Sequence, residues 1–83
     1  MYKYLIIIEK SRTGFSAYAP DLPGCVAVSS TKEKTEALMK EAIEFHIEGM
    51  LEEGLEIPKP TTTNAEFIKI NFKKRLRKEF VSA

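Results

Sequence analysis

Two side chains that could do chemistry lie close together in the stretch YAPDLPGCVAV, residues 18–28. They are the only aspartate of the chain, Asp21, and its only cysteine, Cys25. A positioned carboxylate can serve as a general base, and a cysteine becomes a nucleophile when a neighbouring base lowers its pKa. Two prolines and a glycine surround them. The stretch is therefore either a reaction centre or a stiff corner that presents a surface.

Neither the cysteine nor the single histidine has the neighbours that catalysis needs. No general base lies close to Cys25 in sequence, which favours a small buried core residue. His46 falls in the apolar arc of a predicted helix with no titratable partner on that face, which favours a packed histidine with one hydrogen-bond partner. One cysteine and one histidine are too few for a His/Cys zinc site. We predict no catalytic residue, no metal ion and no cofactor.

Asp21 has two interpretations. Its carboxylate can accept hydrogen bonds from nearby backbone N–H groups in a turn, as aspartates commonly do. Alternatively, the flanking prolines hold it rigidly so that it faces a partner. Pro20, Pro23 and Gly24 are readily explained as residues that shape the corner. The architectural interpretation of the whole stretch is the one we prefer.

The pattern of apolar residues predicts three strands before a helix and one after it. Residues 2–9, 15–19 and 25–29 are rich in β-branched and aromatic side chains, with turn-forming stretches between them. The first is apolar on both faces, as expected inside a sheet or at a subunit contact. Residues 66–72, EFIKINF, alternate again and predict the fourth strand.

A helix is predicted from Glu33 to Glu53. A hydroxyl of Ser30 or Thr31 can cap its first turn, and Gly54 suits the position after its end. Its apolar side chains form one broad arc that should pack on the sheet: Leu38, Met39, Ala42, Ile43, Phe45, His46, Ile47 and Met50. Four glutamates lie on the opposite face: Glu41, Glu44, Glu48 and Glu52.

The order β-β-β-α-β predicts an α+β domain with a mixed four-stranded sheet and one packed helix. Sequential strands with short connections form an antiparallel meander, and a right-handed crossover returns the fourth strand beside the first. The predicted strand order is 3-2-1-4. One helix leaves the other sheet face uncovered, and a chain of 83 residues buries a modest core. We therefore expect a homo-oligomer.

The charges are unevenly placed, although the formal net charge is only +1. We divide the chain into a domain at 1–72, which is mildly acidic, and a basic C-terminal tail at 73–83. Five tail residues could contact nucleic acid phosphates: Lys73, Lys74, Arg75, Arg77 and Lys78. A frayed tail without such a role is the alternative.

The sequence also bears on location. No apolar run approaches the roughly 20 residues that span a bilayer. The N-terminal MYKYLIIIEK meets a charge at once and lacks a small-residue cleavage site, unlike a secretory signal. We expect a cytoplasmic protein.

The chain resembles the HicB family of antitoxins over residues 2 to about 72. The resemblance rests on Gly14-Phe15, on Ala17-Tyr18-Ala19-Pro20-Asp21-Leu22-Pro23-Gly24-Cys25, on a Thr-led helix with Glu36-Ala37 and Glu41-Ala42, and on Glu53-Gly54, Ile57-Pro58 and Pro60. The run PDLPGC at a fixed distance before the helix is its most specific part.

This resemblance implies a partial ribonuclease H-like fold, assembly into dimers or tetramers, and neutralisation of a small basic HicA-type toxin. Such a toxin cleaves messenger RNA using a histidine, which the antitoxin covers. The candidate partner-binding residues are Pro20, Asp21, Leu22, Pro23, Glu44 and Glu48. Many family members continue into a helix-turn-helix or ribbon-helix-helix domain, whereas this chain ends about eleven residues after its last predicted strand. Operator DNA binding is therefore not expected.

Two alternatives remain open. The chain could be an orphan structural or regulatory oligomer of the same fold that has no toxin partner. It could also be a degenerate ribonuclease H-like nuclease, but a two-metal centre needs several converging carboxylates. Only Glu9 lies where the first strand could supply one, and the fourth predicted strand ends in Asn71.

Overall fold

The computed structural model describes residues 2–72, which form an α+β domain. Three strands come first: β1 (Ile7–Lys10), β2 (Phe15–Tyr18) and β3 (Val26–Ser29). One helix, α1 (Lys32–Glu52), follows them. The strands form an antiparallel sheet in the order β1-β2-β3. The three-strand meander and the single helix are as predicted.

The register of the sheet puts small residues beneath the helix. Ile8 pairs with Ala17, and Ala17 pairs with Ala27, so the three side chains share the face toward α1. Helix α1 lies over β3 and β2. The buried apolar core consists of Ala17, Ala19, Leu22, Cys25, Ala27 and Met39. Because alanine is small, the helix can approach the strands closely and Met39 fills the space between them.

The β1–β2 turn needs a glycine for steric reasons. The Ser11 amide donates to the Gly14 carbonyl at 2.8 Å, which closes the turn. A Cβ atom at Gly14 would collide with the carbonyl oxygen of Ser29, so the backbones of the turn and of β3 can meet only if this residue has no side chain.

Both ends of α1 are capped by the residues that the sequence indicates. The Thr31 hydroxyl accepts from the Lys34 amide at 3.1 Å and satisfies a free N–H group of the first turn. At the other end Gly54 has a φ of +72°. Its amide donates to Leu51, and the Leu55 amide donates to Met50. This pair of bonds is the Schellman pattern, which favours glycine at that position.

The predicted fourth strand is not found in the sheet. Residues 55–72 contain no helix or strand, so the order 3-2-1-4 is reduced to its first three members. The alternation of Ile68, Ile70 and Phe72 is a genuine strand pattern, but a strand exists only when its backbone pairs with a neighbour. After Thr62 every residue up to Phe72 is exposed.

The apolar arc of the helix is narrower than predicted. Met39 is fully buried, and Thr35, which the pattern missed, is buried beside it. Leu38 and Phe45 were expected against the sheet but are exposed. Both lie roughly 100–120° around the helix from Met39, beyond the width that three strands can cover.

Two further predictions concern the basic tail and the absence of a membrane-spanning segment. The basic tail at 73–83, with the candidate nucleic-acid contacts Lys73, Lys74, Arg75, Arg77 and Lys78, lies outside it. Within residues 2–72, no helix has the length and hydropathy needed to cross a membrane.

Candidate partner-binding site

The corner between β2 and β3, residues 19–25, consists of two consecutive turns. The Leu22 amide donates to the Ala19 carbonyl at 3.0 Å, and the Cys25 amide donates to the Leu22 carbonyl at 3.1 Å. Gly24 has a φ of +86° and follows Pro23, as in a type II turn, where proline sets the first central residue and glycine takes the positive φ. The proline and the glycine of this stretch therefore serve to shape the backbone.

The carboxylate of Asp21 accepts hydrogen bonds from two threonines that lie 40 and 41 residues later in the sequence. Its oxygens accept from the backbone amides of Thr61 and Thr62 at 3.0 and 2.9 Å. They also accept from the two threonine hydroxyls at 3.1 and 3.0 Å. These bonds, led by the one from the Thr62 amide, favour the charged form and lower the pKa of Asp21.

This contact differs from the local turn that was one of the two interpretations of Asp21, while the partner-facing interpretation stays a prediction. The carboxylate does bind backbone N–H groups, but they lie 40 and 41 residues away instead of in its own turn. The contact fixes residues 61–62 against the end of the sheet. No local pattern signals this contact, because residues 61–64 are three threonines and an asparagine, a composition typical of a polar loop.

The other candidate residues of the corner divide by exposure. Pro20 and Pro23 lie on the surface. Leu22 is 1% exposed and belongs to the core, so its side chain supports the corner from below. A partner that touches the corner would meet the two prolines first.

Glu41, Glu44 and Glu48 form an exposed ridge along α1, here named the acidic crest. From Glu41 to Glu52 the helix has four glutamates and no lysine or arginine. Lys40 lies 3.9 Å from Glu44, but both side chains are exposed and such a pair contributes little. The crest therefore offers negative charge to the solvent.

A groove of about 610 Å³, the β3 groove, runs between the crest and strand β3. It is lined by Val26, Ala27, Leu38, Glu41, Ala42, Glu44, Phe45 and Glu48. The groove combines apolar lining residues, among them Phe45 with a side chain that is 76% exposed, with the three glutamates of the acidic crest.

A smaller recess connects this groove to the corner. Gly24 and Cys25 line it together with Val26 and Phe45, and the last two also line the β3 groove. The structure thus brings the corner and the glutamates of the crest to one continuous surface. The sequence did not reveal the exposed apolar residues between them, because Phe45 and Leu38 looked like core positions.

A second groove, the β1 groove, lies on the other side of α1 and measures about 790 Å³. Its lining is mostly apolar: Tyr2, Tyr4, Lys40, Ile43, Glu44, Ile47, Glu48, Leu51 and Ile57. Tyr4 closes one end, where its hydroxyl donates to the Pro58 carbonyl. Helix α1 therefore has an apolar groove along each flank.

The side chains near the corner that could do chemistry are Cys25 and His46. Burial raises the pKa of the Cys25 thiol, which keeps it protonated and unreactive. His46 lines the same recess as Cys25, a proximity that the sequence did not indicate. Among residues 2–72, no three His, Cys, Asp or Glu side chains come together as a metal site. What the surface offers is shape, apolar area and negative charge.

Comparison with known proteins adds a family and a fold. The model of the HicB-like antitoxins of bacterial toxin-antitoxin systems matches residues 4–78. An uncharacterised 14.9 kDa protein of Haemophilus phage HP1 is 48% identical over 56 residues, which are 68% of this chain and 42% of that protein. Antitoxin HicB 2 of Photorhabdus laumondii is 26% identical over 68 residues, 82% of this chain and 49% of that protein. The chain thus spans less than half the length of both relatives.

One solved structure is also similar. A chain of the HicA3 and HicB3 toxin-antitoxin complex superposes with a TM-score of 0.63 and 35% sequence identity. The match covers 72% of this chain and 70% of that one.

Proposed function

Since this chain belongs to the HicB-like antitoxin family of bacterial toxin-antitoxin systems, we propose that it neutralises a HicA-type, mRNA-cleaving toxin by covering the active site of that toxin. The observation that supports this most directly is the continuous surface formed by the corner, the β3 groove and the acidic crest. A family relative of this chain is an antitoxin, and a similar chain belongs to a complex of toxin and antitoxin. In this proposal the protein has no catalytic activity of its own.

The composition of the surface suits a protein partner that binds RNA. Interfaces concentrate their binding energy in a few central residues, often aromatic, that become fully desolvated. Phe45 suits this role, because it lines both the β3 groove and the adjoining recess and its side chain is largely exposed. Charged residues at the rim contribute more to the rate and specificity of encounter than to affinity. Glu44 and Glu48 would steer a basic toxin in this way.

An acidic residue in the last turn of α1, Glu52, is unfavourable for the free helix, which also suits a cationic partner. The C-terminal end of a helix carries the negative end of its dipole, so acidic residues there are unfavourable. Helix α1 nevertheless has no basic residue in its last turn, where Leu51 is followed by Glu52. A bound cationic surface would offset this destabilisation, because its positive charge compensates both the glutamates and the dipole.

The corner contributes rigidity in this proposal. Pro20 and Pro23 supply an exposed surface at the corner, and Leu22 supports them from the core. The carboxylate of Asp21 is engaged by Thr61 and Thr62, so its main role is to hold the corner. A direct contact with the toxin would use lone pairs that these four hydrogen bonds leave free.

We also infer that the protein acts as a cytoplasmic homo-oligomer, with residues 1–72 as its folded domain and 73–83 as a basic appendage. The support is the large exposed apolar area on both flanks of the helix and on the sheet face that carries Val26 and Val28. Exposed apolar area of this extent is typical of interaction surfaces.

Co-expression with a HicA-type toxin encoded beside this gene tests the proposal. The wild-type chain should restore growth and co-purify with the toxin. The variant Phe45→Ala should lose both effects, and the double variant Glu44→Lys/Glu48→Lys should bind more weakly as salt is lowered, because its charge now repels a basic partner. Glu36→Lys, in the first half of the same helix, is the control and should rescue normally.

Other outcomes would identify the alternatives. A chain that self-associates but neither binds nor rescues any neighbouring toxin is an orphan oligomer. Divalent-metal-dependent RNA cleavage by the chain alone, lost on Glu9→Ala, would identify a nuclease.

A further inference from the structure

The segment 63–72, here named the arm, has the sequence of a strand but no strand partner among the described residues. Ile68, Ile70 and Phe72 alternate with Lys69 and Asn71, so one face of the extended chain is apolar at all three positions. The opposite face carries Lys69 and Asn71 together with Phe67. All four large apolar side chains of the arm are exposed, Phe67 completely and the others at 71–86%. A folded domain rarely leaves four such neighbours in water without something to cover them.

The domain itself has a place that fits an added strand. In the sheet order β1-β2-β3, strand β1 pairs only with β2 among the described residues, so its outer edge has free backbone N–H and C=O groups. On the sheet side, the β1 groove is lined by Tyr2 and Tyr4, in the segment that leads into β1, and on the helix side by Ile43, Ile47 and Leu51. A strand added along β1 and the segment before it would place alternate side chains toward this groove, which suits the apolar face of the arm.

The arm of the same molecule does not occupy this place. Asp21 holds Thr61 and Thr62 against the end of the sheet, and from residue 63 to residue 72 the chain is exposed. Within residues 2–72, each molecule therefore leaves the outer edge of β1 and the β1 groove unfilled and has an unpaired strand-like segment that complements them. In a dimer, the arm of each copy can fill the edge and groove of the other. Because the two contacts are identical, the dimer has two-fold symmetry and is closed.

We propose that two copies of this chain exchange their arms, so that the arm of each pairs with the outer edge of β1 of the other and buries Ile68, Ile70 and Phe72 in the β1 groove. The predicted fourth strand then exists, but it comes from the second copy. Burial of an aromatic side chain removes roughly 150–250 Å² from water, so two arms and two grooves reach the roughly 1,200–2,000 Å² of a stable interface. The exchange leaves the β3 groove free, and it does not depend on the proposed antitoxin function.

Light scattering on the purified full-length chain without any toxin measures the first consequence. The wild type should have the mass of two copies, or of four if dimers pair. The double variant Ile68→Asp/Ile70→Asp should have the mass of one copy with an unchanged helix signal in circular dichroism, because both side chains are exposed in this structure. Lys69→Glu, which also adds negative charge but on the polar face, should keep the mass of the wild type.

A disulfide trap decides whose groove the arm occupies. Two differently tagged chains carry Ile70→Cys and Ile47→Cys, each together with Cys25→Ala, and are mixed and oxidised. A disulfide between the two chains is the expected product. If instead a single chain with both cysteines forms only an internal disulfide, the arm folds back on its own domain and the exchange is wrong.

Two further results would also overturn the proposal. A wild-type chain that stays monomeric at all concentrations makes no exchange. An arm variant that remains dimeric but no longer binds the toxin shows that the arm belongs to the toxin interface.

Discussion

The corner at 19–25 and the arm at 63–72 contain similar mixtures of apolar and polar residues. The corner is held by burial and hydrogen bonds, whereas the arm is exposed to solvent. In the corner, Leu22 is buried, two turns close with backbone hydrogen bonds, and the only aspartate carboxylate accepts four hydrogen bonds. In the arm, Phe67 is fully exposed and the chain has no ladder partner among the described residues.

The difference separates what one chain completes alone from what it presents to another molecule. The corner makes its contacts within one chain, so substitutions in the corner should affect folding. The arm and the two helix grooves are exposed, so substitutions there should affect assembly. The predictions below test this division, from the largest expected effect to the smallest.

Leu22→Ala should lower the free energy of unfolding by about 2–5 kcal/mol, because it removes a fully buried side chain and leaves a cavity. Ile70→Ala in the arm should change it by less than about 0.5 kcal/mol under dilute conditions that keep the chain monomeric. Urea denaturation of both variants measures the difference. Equal effects would erase the distinction between corner and arm.

Gly24→Ala should destabilise the fold by about 1–2 kcal/mol, because a residue with a side chain resists the positive φ of +86°. Gly49→Ala is the matched control. Gly49 lies inside α1, and a Cβ atom added there would meet only open space, so alanine should stabilise the helix by roughly 0.5–1 kcal/mol. Thermal unfolding should therefore show shifts of opposite sign.

Asp21→Asn should lower the melting temperature at neutral pH, because the amide is neutral and offers one acceptor oxygen to the four donors of Thr61 and Thr62. The pKa of Asp21 is lowered in the folded protein, so its charge stabilises the fold above the unfolded pKa of about 3.9. That contribution disappears as the pH falls through the folded pKa.

The wild type and this variant should thus converge in melting temperature in acid. A difference that stays constant from pH 7 to below the folded pKa would show that the charge of Asp21 has no part in anchoring Thr61 and Thr62.

Glu52→Gln should stabilise the free protein slightly, by about 0.3–1 kcal/mol at low salt, because it removes a negative charge from the negative end of the helix dipole. Glu48→Gln should slow association with the toxin while leaving folding nearly unchanged. Stopped-flow binding at two salt concentrations measures the second effect. If neither substitution changes binding, the acidic crest is only a solvated face.

The parts of the fold that could be predicted are those determined by nearby residues. The start of the helix followed from a hydroxyl at Ser30 or Thr31, of which Thr31 is the cap, and its end followed from Gly54. The turns of the corner followed from Pro23 and Gly24. The three strands followed from their β-branched and aromatic residues and from the turn-forming stretches between them, although β1 (Ile7–Lys10) is shorter than the predicted strand at 2–9. Each of these signals lies within a few residues of the structure it determines.

The parts that could not be predicted depend on distant contacts. Asp21 meets Thr61 across 40 residues, and no local pattern joins them. Phe45 was placed in the core because helical periodicity cannot tell how wide the opposing sheet is. The prediction of a fourth strand in the sheet was wrong for a related reason. Alternation in the arm indicates that the segment can pair with a sheet, but it does not indicate which sheet.

A titration of RNA cleavage tests the central claim, that this protein acts by covering a partner. Purified chain is added in increasing amounts to a HicA-type toxin and an RNA substrate, and the cleavage rate is measured. The account predicts that cleavage falls to zero at a fixed ratio of the two proteins, that Phe45→Ala abolishes the inhibition, and that the chain alone cleaves nothing. Toxin that remains fully active at saturating amounts of the wild-type chain would contradict it.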